Sequence, residues 1–394
     1  MLRPTKYLFL TVITLLLAAC GSSNNEPTPP PVPDTPVHRT VLVYIAADNS
    51  LGTARYDSAD IREMRAAALN GDLQGGRLLV YHKGPDTAPT LSEMGTDGKL
   101  TVIKDYTADS LTSIHAQRML SVIADARQTA PADQMGLVLW SHADGWLNNG
   151  IDDPYFGTQS KARSYGQEQG KRMSLTTLSK VLDAAGGFDF IYFDCCYMGT
   201  VEVAYQLRNV TPYIVASPTE LPANGMPYDR NLRSLFKPAG ADLVEAATNT
   251  FNTYNALYGQ DRTCTMTVIR TDALEGLAAA TARLYGDATT EMWPLGYYPQ
   301  KFAYTGINYH YDMADYVRTM GASADPQMLA DWESAFADAI MYEAHTPLLW
   351  DLMSLERCNG LSTYIPRNTD DLSTRGYNQL DWYTDVASAW LRQF

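Results

Sequence analysis

Cysteine is scarce in this chain. Five cysteines in 394 residues are too few and too scattered for a disulfide scaffold. No C-x-x-C pair suggests zinc, and the two adjacent cysteines, Cys195 and Cys196, do not normally bond each other. Positive charge is also short: the formal net charge is −14, and loss of Arg3 and Lys6 with an N-terminal signal takes it to −16. That balance argues against nucleic acid or anionic lipid as an electrostatic partner, favours solubility and draws in basic peptides. No calcium loop of the D-x-D-x-D type occurs, so Asp152 and Asp153 with Asp48 make only a loose acidic grouping. Beyond residue 37 no second Pro-rich linker interrupts the chain, and 38–394 reads as one large unit.

The first twenty residues, MLRPTKYLFLTVITLLLAAC, pair a basic end with an apolar stretch from Tyr7 to Leu17 and small residues before a cysteine. This is a secretory signal rather than a membrane span. Leu17-Ala18-Ala19-Cys20 resembles the bacterial lipoprotein box. The resemblance implies a signal over 1–19, acylation of Cys20, and a lipid-anchored protein of the bacterial cell envelope that faces the periplasm or the cell surface. The other reading is a plain signal cut nearby. Residues 21–36, GSSNNEPTPPPVPDTP, have no apolar period and form a semi-rigid tether, so 20–37 is anchor and spacer.

Strand and helix patterns then alternate. Apolar runs at 40–49, 77–84 and 135–142 read as buried strands, and 100–106 as a strand or hairpin arm; 59–70, 113–128 and 175–187 carry helical spacing, the last with Ser174 as N-cap and glycines as its stop. The repeat of strand and helix predicts an α/β fold whose mostly parallel sheet has helices on both faces and right-handed crossovers. After Ala239 the pattern gives a helix at 240–257, a strand at 264–272, several helices, a further sheet strand in GLSTYIP (360–366) and an amphipathic helix at 383–394. A core over 38–272 and a helical C-terminal part over 273–394 follow.

The stretch that organises the chain is 189–208, DFIYFDCCYMGTVEVAYQLR. A continuous apolar strand runs into Cys195 and Cys196, and in open α/β sheets the ligand site lies beyond the carboxyl ends of such strands. Met198 to Leu207 reads as a helix whose N-terminus faces the sulfurs and lowers a thiol pKa. Alternation puts Ile191, Phe193 and Cys195 on one face and Tyr192, Asp194 and Cys196 on the other. A carboxylate at a buried strand end needs a polar cleft or a partner, so Asp194 marks the functional face and Cys196 the chemical thiol. Two buried core cysteines are the alternative on this stretch alone. Among the histidines, His38, His115, His310 and His345 read as structural or exposed, and His82 ends a strand. His142 ends the strand that precedes the cysteine strand, and sequential parallel strands usually lie side by side. A His142–Cys196 dyad across one cleft suits acyl transfer from a peptide bond, with the backbone N–H groups of Cys196 and Ala143 as oxyanion donors.

The segments TVLVYIAADN, SHADGW, FDCCYMGTVEVAYQL, YIVASPTELPANGMPY and CNGLSTYIP, in this order from about Thr40 onward, resemble the clostripain family of cysteine peptidases. The resemblance implies a caspase-like fold, cleavage after Arg or Lys, His142 and Cys196 as the catalytic pair, and Asp194 in the substrate pocket. Glu220 and Asp229, which flank the loop after YIVAS, are further candidates for holding a substrate cation. Cys195 stands where the family has alanine and Ala143 where it usually has glycine, which puts the reactive sulfur's identity and the oxyanion approach in question. The polar stretch 151–174 holds Lys161, Arg163, Lys171 and Arg172, and family members are processed in this region, so self-cleavage there or a plain surface loop are the two readings. Calcium is a cofactor some members use; the chemistry itself needs none. The expected partners are Arg- or Lys-containing proteins and peptides, the expected state a monomer. A catalytically weak or inactive surface protein that binds peptides or glycans is the runner-up, and a redox pair of Cys195 and Cys196 is disfavoured by the strain of a vicinal bond.

Overall fold

The computed structural model describes residues 37–147, 164–287, 296–303, 309–366 and 376–391. The first apolar run forms β1 (Val37–Ala46), which pairs in parallel with β2 (Arg77–Lys83) on one side and β5 (Ala132–Trp140) on the other. β8 (Phe190–Asp194) and β9 (Tyr213–Ala216) extend the parallel block. Antiparallel strands flank it: β3 (Thr90–Met94) and β4 (Leu100–Asp105) beyond β2, and β10 (Thr265–Arg270) and β12 (Ile340–His345) beyond β9. The sheet therefore runs β12-β10-β9-β8-β5-β1-β2-β3-β4.

Alternation along the central strands divides the interior into two cores. Leu42, Tyr44 and Ala46 of β1, with Leu137, Leu139, Ile191 and Phe193, face one core; Val41, Val43 and Ile45, with Val138, Trp140, Phe190 and Tyr192, face the other. Both faces are covered, as the unbroken apolar runs require. The first is packed by α3 (Ala116–Thr129), α4 (Leu175–Ala184), α5 (Val201–Gln206), α8 (Leu274–Asp287) and α9 (Met313–Met320). The second is packed by α2 (Tyr56–Leu69), which follows the single turn α1 (Ser50–Thr53), and by α6 (Tyr228–Leu235) and α7 (Leu243–Asn255). α10 (Pro326–Ala339) leads into β12 and buries Trp332 against α8. Ser174 caps α4 as its type suggests, accepting from the Thr177 N–H at 3.0 Å. Among the described residues no helix is long and apolar enough to cross a membrane.

Four expectations need correction. The helix after the cysteines begins at Val201 with Thr200 as N-cap, not at Met198, because Tyr197 takes a left-handed φ of 60° that turns the chain first. GLSTYIP does not join the large sheet: Ser362–Thr363 pairs with β11 (Tyr311–Asp312) in a two-stranded ribbon. Within the supposed loop before α4, β6 (Tyr165–Glu168) and β7 (Lys171–Met173) form a small hairpin. The C-terminal amphipathic segment contains a wide π-helical turn over Tyr383–Ala387 before Ser388–Leu391. β12 went unseen in the sequence because an edge strand with one wet face has no continuous apolar run, and its burial alternates between half-buried and exposed.

Candidate active site

The site lies at the carboxyl ends of β5 and β8, where Trp140 is in register with Asp194. A cavity of about 360 Å³ opens there, lined among others by His142, Ala143, Asp144, Asp194, Cys196 and Glu220. The thiol and the imidazole thus come from neighbouring strand ends of one parallel block. Cys196 is half-buried and packs toward the second core, whereas Cys195 lies in the first, its Sγ 3.7 Å from the Leu139 carbonyl.

Several contacts fix the backbone around Cys196. The Tyr197 N–H donates to the Thr219 carbonyl and the Gly199 N–H to the Ser217 carbonyl, both at 2.8 Å. A Cβ on Gly199 would come within 2.6 Å of the Pro218 nitrogen, so only glycine allows this closeness. The left-handed Tyr197 is strained for a bulky residue. It is held by a 4.5 Å stack on His310 and by a hydroxyl bond to Glu220 at 3.2 Å. The Leu221 N–H points at the Cys196 sulfur from 3.4 Å. Burial nevertheless pushes the Cys196 thiol up to about 12, with the Glu220, Asp144 and Asp194 carboxylates adding to the rise against that N–H. The expected lowering by a helix end fails because α5 starts five residues later. Burial also drives the Cys195 thiol well above the ordinary thiol range.

His142 follows β5 by two residues. Its Nε2 lies 2.8 Å from Ser50 Oγ. Ser50 is carried there by Asn49, which caps α1 and donates to Ser141 Oγ at 3.3 Å. Burial lowers the imidazole pKa, the Arg172 cation lowers it further, and Asp144 opposes them. Arg172 itself pairs with Asp144 at 2.8 Å and bonds Gln167 at 2.8 Å. Ala143 is bridged to Tyr165 through the His142 carbonyl and the Asp144 N–H, which leaves the Ala143 N–H outside that bridge.

Asp194 forms part of the cavity wall, yet it is 5% exposed and accepts from the Met226 N–H at 2.9 Å and the Tyr228 hydroxyl at 3.0 Å. Gly225 covers it at a φ of 62°, and a Cβ there would sit 2.7 Å from Oδ1. Burial raises its pKa and that of Asp60, which holds the Trp140 indole at 2.6 Å; the Asp194 charge adds to the rise at Asp60. Glu220 accepts from Tyr197 and, at 2.8 Å, from the Trp350 indole. Asp229 is exposed in the first turn of α6 and does not line the cavity. Asp48 pairs with Lys83 at 3.0 Å. Lys171 is exposed on β7, and Arg172 is tied down as described. Cys20, Asp152, Asp153, Lys161 and Arg163 lie outside the described residues. His38 bonds the Phe236 carbonyl, His82 pairs with Asp57 at 2.7 Å, and His115 caps α3.

Ser50, Tyr197, His310 and Trp350 were not assigned to the site from sequence. They reach it from four separated segments, and only the adjacency of Tyr197 to Cys196 was a usable signal. His310 is fully buried behind Tyr197, which drops its pKa to about 3.

A mixed, mostly parallel sheet with a histidine and a cysteine at adjoining carboxyl ends is the setting of a cysteine peptidase. The sequence model of the clostripain family matches residues 43–371, and the chain belongs to that family of cysteine peptidases. It is similar to a secreted C11 cysteine protease from Bacteroides thetaiotaomicron, solved in complex with an irreversible peptide inhibitor. The two are 30% identical over 89% of this chain and 99% of the other, with a TM-score of 0.75. An inactive zymogen C11 protease from Parabacteroides distasonis is likewise 30% identical, over 90% of this chain and 99% of that one, with a TM-score of 0.75. The fold is shared with a second secreted Bacteroides thetaiotaomicron protease, iotapain, at 21% identity, a TM-score of 0.76 and coverage of 89% and 99%. No curated protein sequence matches.

Proposed function

We propose that this peptidase is an endopeptidase anchored to the bacterial cell envelope by lipid on Cys20, and that it hydrolyses peptide bonds after Arg or Lys with Cys196 as nucleophile and His142 as base. The observation that carries this reading is the convergence of Cys196, His142, Asp194 and Glu220 on one cavity. With the imidazole lowered and the thiol raised, the resting pair is neutral, so the proton passes to His142 as the sulfur attacks. The carbonyl oxygen becomes an oxyanion facing the N–H groups of Cys196 and Ala143. The imidazolium then protonates the leaving amine, leaving a thioester; water, deprotonated by the same imidazole, releases the acid and restores the thiol. No metal or cofactor enters these steps, and calcium near Asp48 would have to compete with Lys83. Asp194 and Glu220 supply the negative charge that a buried substrate cation needs. The chain acts as a monomer.

We also propose that cleavage in 151–174, after Lys161, Arg163, Lys171 or Arg172, opens the site. The engagement of His142 by Ser50 and the raised thiol are the features of a latent cleft.

The test is mass spectrometry and turnover of Arg, Lys and neutral reporter peptides, with an alkylating arginine-directed inhibitor. Cys196→Ala should abolish turnover, labelling and internal cleavage together, while Cys195→Ala retains them. Turnover surviving in Cys196→Ala overturns the assignment. An unlabelled, inert protein with internal cleavage complete means a binding protein instead, and two labelled thiols mean a redox pair.

A further inference from the structure

We infer that Glu343, His345 and Cys358 form a binding site for a divalent ion of the zinc class at the edge of the sheet, behind the cluster in which Cys358 packs with Tyr197. Glu343 and His345 stand two residues apart on β12, so they project from the same face of the edge strand. Cys358 arrives at that face after the excursion 346–357. Among the described residues this is the one place where three metal-ligating side chains of this kind meet, with their donor atoms all within 4.8 Å of one another. In a tetrahedral zinc site the donors sit about 3.5 Å apart, from bond lengths of about 2.0–2.3 Å.

The donor set suits the ion. A thiolate, an imidazole and a carboxylate are zinc's usual ligands, and the two anionic donors cancel the charge of a dication. Exposure grades outward, from 7% at Cys358 through 25% at the His345 side chain to 33% at that of Glu343. The sulfur therefore anchors the ion, the carboxylate closes from solvent, and water takes the fourth position. The imidazole Nδ1 is 3.2 Å from Glu343 Oε2, so the two outer donors already face each other. The Gly360 N–H bonds the Cys358 sulfur, the outer-shell contact a metal thiolate uses. Gly360 also permits the approach of Glu343: at its φ of 87°, a Cβ would lie 2.7 Å from Glu343 Cβ. The nearby Asp312 carboxylate is not a competing ligand, because it accepts from Asn359 and from the Asp315 N–H. On binding, the ion takes the sulfur's electron pair and the thiol proton leaves to solvent.

The ion would staple the two ends of the excursion that carries Trp350. Trp350 and Asp351 hold consecutive left-handed φ angles of 55° and 56°, and the Trp350 indole donates to Glu220 in the active-site cavity. The site thus braces the cavity wall from behind.

The experiment is a Co²⁺ titration of the reduced, tag-free full chain in a Cys196→Ala background, which keeps the active-site thiol out of the readout and separates this inference from the peptidase reading. One equivalent should produce a thiolate-to-cobalt charge-transfer band, competed away by Zn²⁺. Cys358→Ser should lose the band, and His345→Ala, at a half-buried position that endangers folding less, should bind about tenfold or more weakly. Zn²⁺ should raise Tm in the parent and not in His345→Ala, with circular dichroism confirming that each variant is folded. No band at excess Co²⁺, or an unchanged band in Cys358→Ser, overturns the proposal.

Discussion

Cys195 and Cys196 are neighbours in the chain and strangers in the fold: one sulfur lies in the first core beside the Leu139 carbonyl, the other packs toward the second beside the Leu221 backbone. This was legible from alternation alone, because a strand forces consecutive side chains apart. The state of the thiol was not. A pKa depends on burial and on charges delivered by other segments, here Glu220 and Asp144, which no local pattern reveals. The same holds for His142, whose imidazole is lowered by burial and by Arg172 and raised by Asp144. Replacing Arg172 removes a lowering influence and frees the Asp144 charge to act. In Arg172→Gln, His142 should therefore protonate at a higher pH. The acidic limb of kcat/KM should move up the pH scale, so activity falls at pH 6 while changing little at pH 8. A pH profile of reporter-peptide hydrolysis checks the direction; an unmoved limb would detach His142 from that limb.

At the scale of elements, the turn from β8 into α5 is the part that sequence misjudged. Met198 to Leu207 has helical spacing, but close packing of Tyr197 and Gly199 on residues 217–219 costs it the first turn, and Thr200 starts the helix instead. Thr200 is fully buried, its hydroxyl accepts from the Val203 N–H at 3.0 Å, and its backbone bridges Ser362. Thr200→Ala should cost about 1–2 kcal/mol by denaturant unfolding, the usual loss for an N-cap. A loss near zero would mean that the bridge alone holds the turn. The parallel strands were easy to read because burial on both faces leaves them uniformly apolar. β3 and β12 were missed and GLSTYIP misplaced, since short or edge strands owe their pairing to partners far along the chain.

For the whole molecule, Glu202 ties α5 to the late segments that carry Thr363, Tyr364 and Tyr377. This fully buried carboxylate on α5 accepts from Thr363 Oγ1 at 3.0 Å and the Tyr364 N–H at 2.8 Å, and it faces the Tyr377 hydroxyl at 3.5 Å. Burial raises its pKa from an ordinary 4.5 to about 7. A carboxyl whose folded pKa is raised keeps its proton in the folded state, so its effect on stability turns unfavourable as pH climbs from about 4.5 to about 7. Glu202→Gln has no such loss. Relative to the parent, it should gain roughly 3 kcal/mol between pH 4 and pH 8 in denaturant unfolding. A pH-independent difference between the two would show that folding leaves the Glu202 pKa unshifted. The placement of Trp350 has a consequence in time. A chain is made from its N-terminus, and domains begin to fold as they emerge. His142 and Cys196 are synthesised more than 150 residues before the indole that meets Glu220. The proposed reacting groups therefore precede the Trp350 wall of their pocket, and a chain still being made holds an unfinished cavity.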